Sequence, residues 1–132
     1  MARVRELAPL TWTVTQGQID AYAGAAGADD PIHVDPAGRV AEGGTIAQGM
    51  LVLAVMAEFV AGALPIAAPW LEQGSLDVRF RAPTKPGDRL TVRAVATAEA
   101  GGIVTCDLWC ENAAGIRIVA GTARIPVTAF AG

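Results

Sequence analysis

The sequence predicts an α+β fold in which an antiparallel β-sheet wraps around one long apolar helix. Three observations support this prediction. Residues 50–64 form the longest apolar run, strand-like segments joined by short turns fill the chain after residue 75, and 52% of the 132 residues are apolar. A chain of this length and composition buries one core, so we expect a single domain over residues 1–132.

Composition excludes several classes of function. The net charge of −3 argues against nucleic-acid binding, which needs a dominant basic field. The first residues lack the apolar core of a signal peptide, and the apolar run contains Glu58 and is shorter than the roughly 20 residues of a membrane span. We therefore expect a cytoplasmic protein with no membrane partner.

The two cysteines are predicted to be free thiols. Cys106 and Cys110 are four residues apart on a predicted strand, hence roughly 13 Å apart, which is too far for a disulfide. With one histidine and two cysteines, no Cys/His zinc site can be assembled. We expect no metal and no cofactor.

A low share of charged residues, 17%, predicts an oligomer with a large apolar interface. One helix cannot cover both faces of the sheet. The outer face of the sheet, or one of its edges, is therefore expected to pair with a second subunit.

The first third of the chain contains a strand, a helix and a polar turn. Residues 10–14 alternate as a strand, and Thr15 with Gln18 forms a capping box that starts a helix. Gly27 is expected to end this helix, and residues 29–32 are expected to form a turn.

The next segments are a short helix and the central helix. Asp35 and Pro36 are the cap and first residue of a short helix that ends at residues 43–44. The central helix begins at Gln48 or Gly49 and ends before Pro65. It is apolar on nearly every side, so we expect other structure to wrap it completely.

The sequence after residue 75 predicts a four-stranded meander. Leu76, Val78 and Phe80 alternate with polar residues, and residues 85–88 form a turn. Strands are then expected over residues 89–99, 103–112 and 116–127, and their short joins imply antiparallel neighbours.

One segment concentrates the polar chemistry. Residues 26–36 read Ala-Gly-Ala-Asp-Asp-Pro-Ile-His-Val-Asp-Pro and contain the only histidine, His33, and residues 46–50 read Ile-Ala-Gln-Gly-Met. Together with Tyr22-Ala23, this stretch resembles the signature of the MaoC-like hydratases, in which Ser-Gly-Asp-x-Asn-Pro-Ile-His-x-Asp-Pro precedes Ile-x-His-Gly-Met. Residues 78–88 also resemble this family's strand and turn.

The resemblance implies a hot-dog fold and the syn addition of water to an enoyl thioester, or the reverse. The family uses an Asp/His dyad, in which one group activates water and the other moves a proton at the α carbon. The thioester oxygen is held by a backbone N–H at the start of the central helix. Here that N–H belongs to Gly49, where the helix dipole is positive.

The chain departs from the family pattern at four positions. Ala28 stands where the catalytic aspartate is expected, Asp30 replaces the asparagine, and Gln48 replaces the histidine before Gly-Met. Ala57 occupies the position of a helix serine that the family sometimes carries. The histidine of the dyad is therefore retained and its usual partner is absent.

Three interpretations follow. Asp29 or Asp30 has taken over the acid/base role beside His33. Alternatively, His33 acts alone as a base in an elimination, an isomerisation or a thioester hydrolysis, where Glu58 on the helix is a further candidate. In the third, the chain is a non-catalytic binding or partner subunit.

We expect a hydratase or dehydratase of an acyl thioester, carried by CoA or by a carrier protein, that works as a homodimer or beside another hot-dog subunit. His33, Asp30 and Gly49 are the catalytic candidates. Candidates for substrate binding are Asp29, Gln48, Met50 and Arg81. A basic group is either a solvated strand face or a receptor for phosphates; it comprises Arg79, Arg81, Lys85, Arg89 and Arg93.

Overall fold

The computed structural model describes residues 5–34 and 45–131. The helices are α1 (Gln16–Ala26), α2 (Pro31–Val34), α3 (Gly49–Ala63) and α4 (Ala68–Gln73). The strands are β1 (Glu6–Thr13), β2 (Ser75–Phe80), β3 (Arg89–Ala100), β4 (Ile103–Glu111) and β5 (Arg117–Pro126), and a 3-10 helix covers Val127–Phe130. This is the predicted α+β class.

The five strands form one antiparallel sheet in the order β1-β3-β4-β5-β2. The predicted meander is right for β3, β4 and β5 but wrong for β2, which pairs with β5 instead of β3. The backbone N–H of Arg81 donates to the Ile118 carbonyl at 2.7 Å and so extends the β2–β5 pairing. Residues 82–88 then cross to the opposite side of the meander, too long a link to impose a hairpin.

The crossing segment passes the entrance to α3. The Ala47 N–H donates to the Thr84 carbonyl at 2.7 Å, and Gly87 N–H donates to the Val14 carbonyl at 2.7 Å. The predicted turn at residues 85–88 is confirmed, because Lys85 N–H donates to the Asp88 carboxylate at 2.9 Å. These bonds place the end of β2 next to the start of α3.

Helix α1 forms as its capping chemistry predicts. The Thr15 side chain accepts from Gln18 N–H, Gln18 returns the bond to the Thr15 backbone, and Gly27 ends the helix with a left-handed φ of 70°. Strand β1 begins earlier than predicted, at Glu6, and an irregularity between Leu7 and Leu10 interrupts its pairing with β3.

The predicted turn at residues 29–32 is wrong in its second half. Pro31 starts the short helix α2, because its fixed φ suits the first helical position and its missing N–H is not needed there. His33 therefore lies on a helix. The predicted cap Asp35 and the predicted helix up to residues 43–44 lie outside the described residues.

Helix α3 has the predicted bounds, but the expectation that other structure wraps it completely is wrong within this chain. Its buried side chains, Val52, Met56, Phe59 and Val60, lie on one face and pack against the sheet. Ala54 and Glu58 on the opposite face are exposed. The apolar composition of α3 thus exceeds what one sheet covers.

The core lies between α3 and the inner face of the sheet. Leu90, Val92, Leu108 and Ile125 contribute fully buried side chains from three central strands. Cys106 and Cys110 are buried free thiols in the same core, as predicted. No helix in the described part of the chain is long and apolar enough to cross a membrane.

Candidate functional site

The imidazole of His33 is oriented by a backbone carbonyl. Its Nδ1 lies 2.8 Å from the carbonyl oxygen of Ile46, three residues before α3 begins. A carbonyl only accepts hydrogen bonds, so Nδ1 carries the proton in this contact and the neutral ring presents a lone pair at Nε2. His33 is half-buried, and Nε2 is the ring nitrogen suited to proton transfer.

A polar network fixes the backbone around His33. The Gln16 amide nitrogen donates to the His33 carbonyl at 3.0 Å, and the Gln16 amide oxygen accepts from the buried hydroxyl of Thr45. The Ile46 N–H donates to the Ile32 carbonyl at 3.0 Å. Helix α2 is therefore tied to both α1 and the segment leading into α3, which limits the movement of the imidazole.

The carboxylates of Asp29 and Asp30 are exposed. Asp30 contributes its backbone carbonyl to α2, accepting from His33 N–H at 2.9 Å and Val34 N–H at 3.4 Å. Within the described residues the ion pairs join Arg5 to Glu99 and Arg93 to Glu111. No carboxylate oxygen of either aspartate therefore lies within 4.0 Å of an imidazole nitrogen.

Gln48 holds the residue that replaces the expected aspartate. Its amide nitrogen donates to the carbonyl of Ala28 at 3.1 Å and to the carbonyl of Ile19 at 3.1 Å. The Gln48 side chain is only 4% exposed, and its amide oxygen has no hydrogen-bond partner among the described residues. These two hydrogen bonds hold α1 and the loop after it against the start of α3.

The N-terminus of α3 is open. Its first backbone bonds run from Leu51 N–H and Val52 N–H to the Gln48 carbonyl, and no side chain in the described part of the chain caps it. The N–H groups of Gly49 and Met50 are therefore available to an acceptor, at the positive end of a helix dipole. Met50 itself is 57% exposed.

A cleft of about 330 Å³ lies beside this terminus. Gly49, Phe80 and Arg81 contribute to its wall, with Ala47, Val52, Ala82, Pro83, Thr84 and Val119. A Cβ at Gly49 would come within 3.0 Å of the Phe80 ring, so glycine lets this ring lie against the helix start. Gly49 therefore lines an apolar cleft, and His33 is not among the residues that line it.

Glu58 lies apart from this cleft. It lines a separate groove of about 380 Å³ with Phe59, Gly62 and Ala63 of α3 and with residues 8–10 of β1. Nine helical residues separate Glu58 from Gly49, or about 14 Å along the axis. One chain therefore does not bring the Glu58 carboxylate to the Gly49 N–H.

The sequence prediction missed Gln16, Thr45 and Phe80 as parts of the site. Gln16 and Thr45 act on His33 from 17 and 12 residues away along the chain, and nothing in their local pattern signals this. Phe80 reads as an ordinary inward strand residue. The described residues contain no group of three or more histidine, cysteine or acidic side chains able to hold a metal ion.

Comparisons with known proteins bear on the family and the fold of the chain. The family model described as MaoC like domain matches residues 5–106. No curated protein matches the chain significantly in sequence. Among solved structures with the hot-dog fold, the unliganded R-hydratase PhaJ1 from Pseudomonas aeruginosa is 25% identical with a TM-score of 0.81, covering 96% of this chain and 81% of that one.

Two further structures share the fold at lower identity. The (R)-hydratase from A. caviae involved in PHA biosynthesis is 22% identical with a TM-score of 0.80, covering 96% of this chain and 97% of that one. The ChsH1-ChsH2 complex from Mycobacterium tuberculosis contains a chain that is 20% identical with a TM-score of 0.79, covering 96% and 98%. The predicted antiparallel sheet around a central helix is thus the hot-dog fold.

Proposed function

The chain belongs to the MaoC-like dehydratase domain family, and from this premise we propose that it is a hydratase or dehydratase of an acyl thioester. One observation carries the proposal: the His33 ring is hydrogen-bonded to the segment that leads into the open N-terminus of α3. The imidazole is anchored through Nδ1 to the Ile46 carbonyl. Three residues later, the Gly49 N–H has no hydrogen-bond partner among the described residues.

In the proposed hydration, the Gly49 N–H donates to the thioester oxygen and stabilises the negative charge that develops there. His33 Nε2 removes a proton from water as its oxygen bonds to the β carbon. The electron pair of the double bond moves toward the α carbon, and the imidazolium returns its proton to that carbon. One acid/base group on one face of the substrate gives syn addition; dehydration is the reverse.

Asp30 is the proposed partner of His33, and Asp29, Gln48, Met50 and Arg81 are the proposed substrate contacts. The support for Asp30 is its position directly before α2, where its backbone already contacts His33. The Asp30 carboxylate is exposed. Its role as partner would therefore require a rearrangement when substrate or a second subunit binds.

We propose that a second hot-dog subunit, identical or different, completes the site, and that the protein is cytoplasmic. Phe80 lines the Gly49 cleft, and Met50 is the residue after Gly49 in α3. Their side chains remain 51% and 57% exposed in one chain. Large apolar side chains beside a binding cleft favour burial by a partner. Sedimentation analysis should give a dimer; a stable, active monomer would contradict this part of the proposal.

Hydration of crotonyl-CoA tests the proposed activity. We expect His33→Ala and His33→Gln to lower kcat by about 10²–10⁴-fold, because the proposed proton-transfer group is lost. Asp30→Asn should lower kcat if Asp30 assists and leave it unchanged if His33 acts alone. Circular dichroism controls for folding, and full activity of folded His33→Ala would contradict the mechanism.

The second candidate function is a non-catalytic partner subunit, favoured by Ala28 and the absence of a nearby carboxylate among the described residues. One of the structurally similar chains belongs to the ChsH1-ChsH2 complex, which its name describes as an assembly of two proteins. If the chain hydrates crotonyl-CoA only beside a second hot-dog subunit, and His33→Ala leaves that activity unchanged, this candidate is correct. Release of free CoA without hydration would instead indicate a thioesterase.

A further inference from the structure

The side-chain amide of Gln48 contains a buried hydrogen-bond acceptor that the described part of the chain leaves unpaired. Its nitrogen donates to the carbonyls of Ile19 and Ala28, both at 3.1 Å. Carbonyl oxygens only accept hydrogen bonds, so the nitrogen must face these two carbonyls and the amide oxygen, Oε1, must point away from them. That oxygen is shielded from solvent and has no hydrogen-bond partner among the described residues.

An unpaired acceptor at this depth indicates a site for a small donor. Buried polar atoms in folded proteins bond to protein groups or to ordered water, because an unpaired acceptor has lost its bonds to bulk water without replacement. The described residues around Gln48 offer Oε1 no donor. Water is the smallest molecule with two O–H donors, and buried water commonly bridges two or more polar groups.

The same short segment holds both Gln48 and the ring of His33. The Ile46 carbonyl accepts from His33 Nδ1 at 2.8 Å, and Gln48, two residues farther along, binds the Ala28 carbonyl. Two residues of chain span at most about 7 Å. Neighbouring points of one segment therefore fix the imidazole and the amide, and a molecule bonded to both would lie next to Nε2 of the ring.

We propose that the amide oxygen of Gln48 holds the water molecule that His33 activates. This inference rests on the proposed hydration, in which His33 Nε2 removes a proton from water. One O–H of the water donates to Gln48 Oε1 and keeps its proton. The other O–H faces Nε2 and loses its proton as the water oxygen bonds to the β carbon. The neutral amide takes no proton, so Gln48 acts only by fixing the direction of the water.

Burial makes Gln48 better suited to this task than the aspartates near His33. The carboxylates of Asp29 and Asp30 are exposed, so bulk water competes for their oxygens. Gln48 is only 4% exposed, and two hydrogen bonds hold its amide in one orientation. A hydrogen bond in such a low-dielectric position is stronger and better directed than one in solvent. Orientation of the water therefore depends on neither aspartate.

Kinetics of two Gln48 variants separate the acceptor from the donor. Gln48→Lys keeps N–H donors for the two carbonyls and removes the acceptor, whereas Gln48→Met removes both. We expect each variant to lower kcat for crotonyl-CoA hydration about tenfold or more while KM changes less than twofold, because the water loses its orientation and thioester binding at Gly49 is retained. Val104→Ala, in the core on β4, controls for lost stability and should keep kcat within about twofold of wild type.

A crystal structure of the wild-type protein that resolves ordered water tests the site without turnover. We expect one water about 2.8 Å from Gln48 Oε1 that also contacts His33 Nε2. A protein donor bonded to Oε1, a water there that does not contact His33, or a folded Gln48→Lys variant with the wild-type kcat would overturn the inference. Wild-type protein that does not hydrate crotonyl-CoA would overturn the proposed reaction, and the crystal structure alone would then decide whether the water site exists.

Discussion

At the residue scale, Gln48 has the most consequential contacts near His33. Its amide nitrogen donates hydrogen bonds to the carbonyls of Ile19 in α1 and of Ala28 in the loop after α1. The same residue is the N-cap position of α3. The resemblance drawn from the sequence leads one to expect a catalytic aspartate at Ala28, and Gln48 fixes the backbone of that position.

Replacing Gln48 should therefore be costly. We expect Gln48→Leu to reduce the free energy of unfolding by about 2–3 kcal/mol, since two buried carbonyl contacts lose their donor. Gln48→Glu should be worse at neutral pH, because a buried carboxylate would face two carbonyl oxygens. Urea denaturation measures both variants, with Gln73→Leu at an exposed position as the control.

The pH dependence separates the two Gln48 variants. Burial raises the folded-state pKa of the introduced glutamate above its unfolded value of about 4.3, so Gln48→Glu should regain stability as the pH falls toward that value. Gln48→Leu should show no such recovery. Equal stability of Gln48→Glu and wild type at pH 7 would show that this amide does not clamp the site.

At the element scale, the position of β2 decides the geometry of the cleft beside Gly49. Strand β2 pairs with β5 from Ser75 opposite Arg124 to Phe80 opposite Val119. Gly121 lies in the middle of this pairing, where a Cβ would overlap the carbonyl oxygen of Asp77. Glycine thus permits the close approach that brings Phe80 to Gly49 and Arg81 to the rim of its cleft.

Substituting Gly121 should loosen this edge. We expect Gly121→Ala to destabilise the protein by about 1–3 kcal/mol, because backbone atoms of β2 must move apart from β5. Gly24→Ala is the matched control, since nothing lies within 4 Å of its Cβ and alanine favours α1 by about 1 kcal/mol. Thermal melting checks both; an unchanged Tm for Gly121→Ala would contradict the close β2–β5 contact.

At the scale of the whole molecule, burial of the two thiols makes the stability of the fold depend on pH in the alkaline range. Desolvation, with a smaller contribution from Asp107, raises the pKa of Cys106 from 9.0 to about 11. Desolvation, with Glu111 adding to it, raises the pKa of Cys110 from 9.0 to about 12. The folded protein therefore keeps both thiols protonated where the unfolded chain ionises them.

The sign of the effect follows from linkage. Stability associated with these thiols is intact below pH 9 and is lost as the pH rises toward 11 or 12, at about 1.4 kcal/mol per pH unit for each thiol. Urea denaturation from pH 8 to 10.5 should show this loss. A Cys106→Ala/Cys110→Ala variant should lose less stability over the same range, and identical slopes would contradict the prediction.

The sequence predicted those parts of the fold whose cause is local. Thr15 and Gln18 form a capping box within four residues, Gly27 supplies a left-handed end, and Pro65 sets the end of α3. The histidine motif likewise predicted the family, which the match over residues 5–106 confirms. The short helix at Pro31 was missed because a proline after two aspartates also suits a turn.

The amino-acid sequence by itself determined the α+β class, the bounds of the central helix, the family and the candidate role of His33. Only the tertiary structure decided that β2 pairs with β5, that the Ile46 carbonyl orients His33, and that Gln48 holds Ala28. The physical reason is the separation along the sequence of the residues in contact. Helix caps and periodic apolar faces depend on residues a few positions apart, so the local sequence predicts them. The contacts of β2, His33 and Gln48 join residues far apart in the sequence, and no local pattern predicts which of them meet.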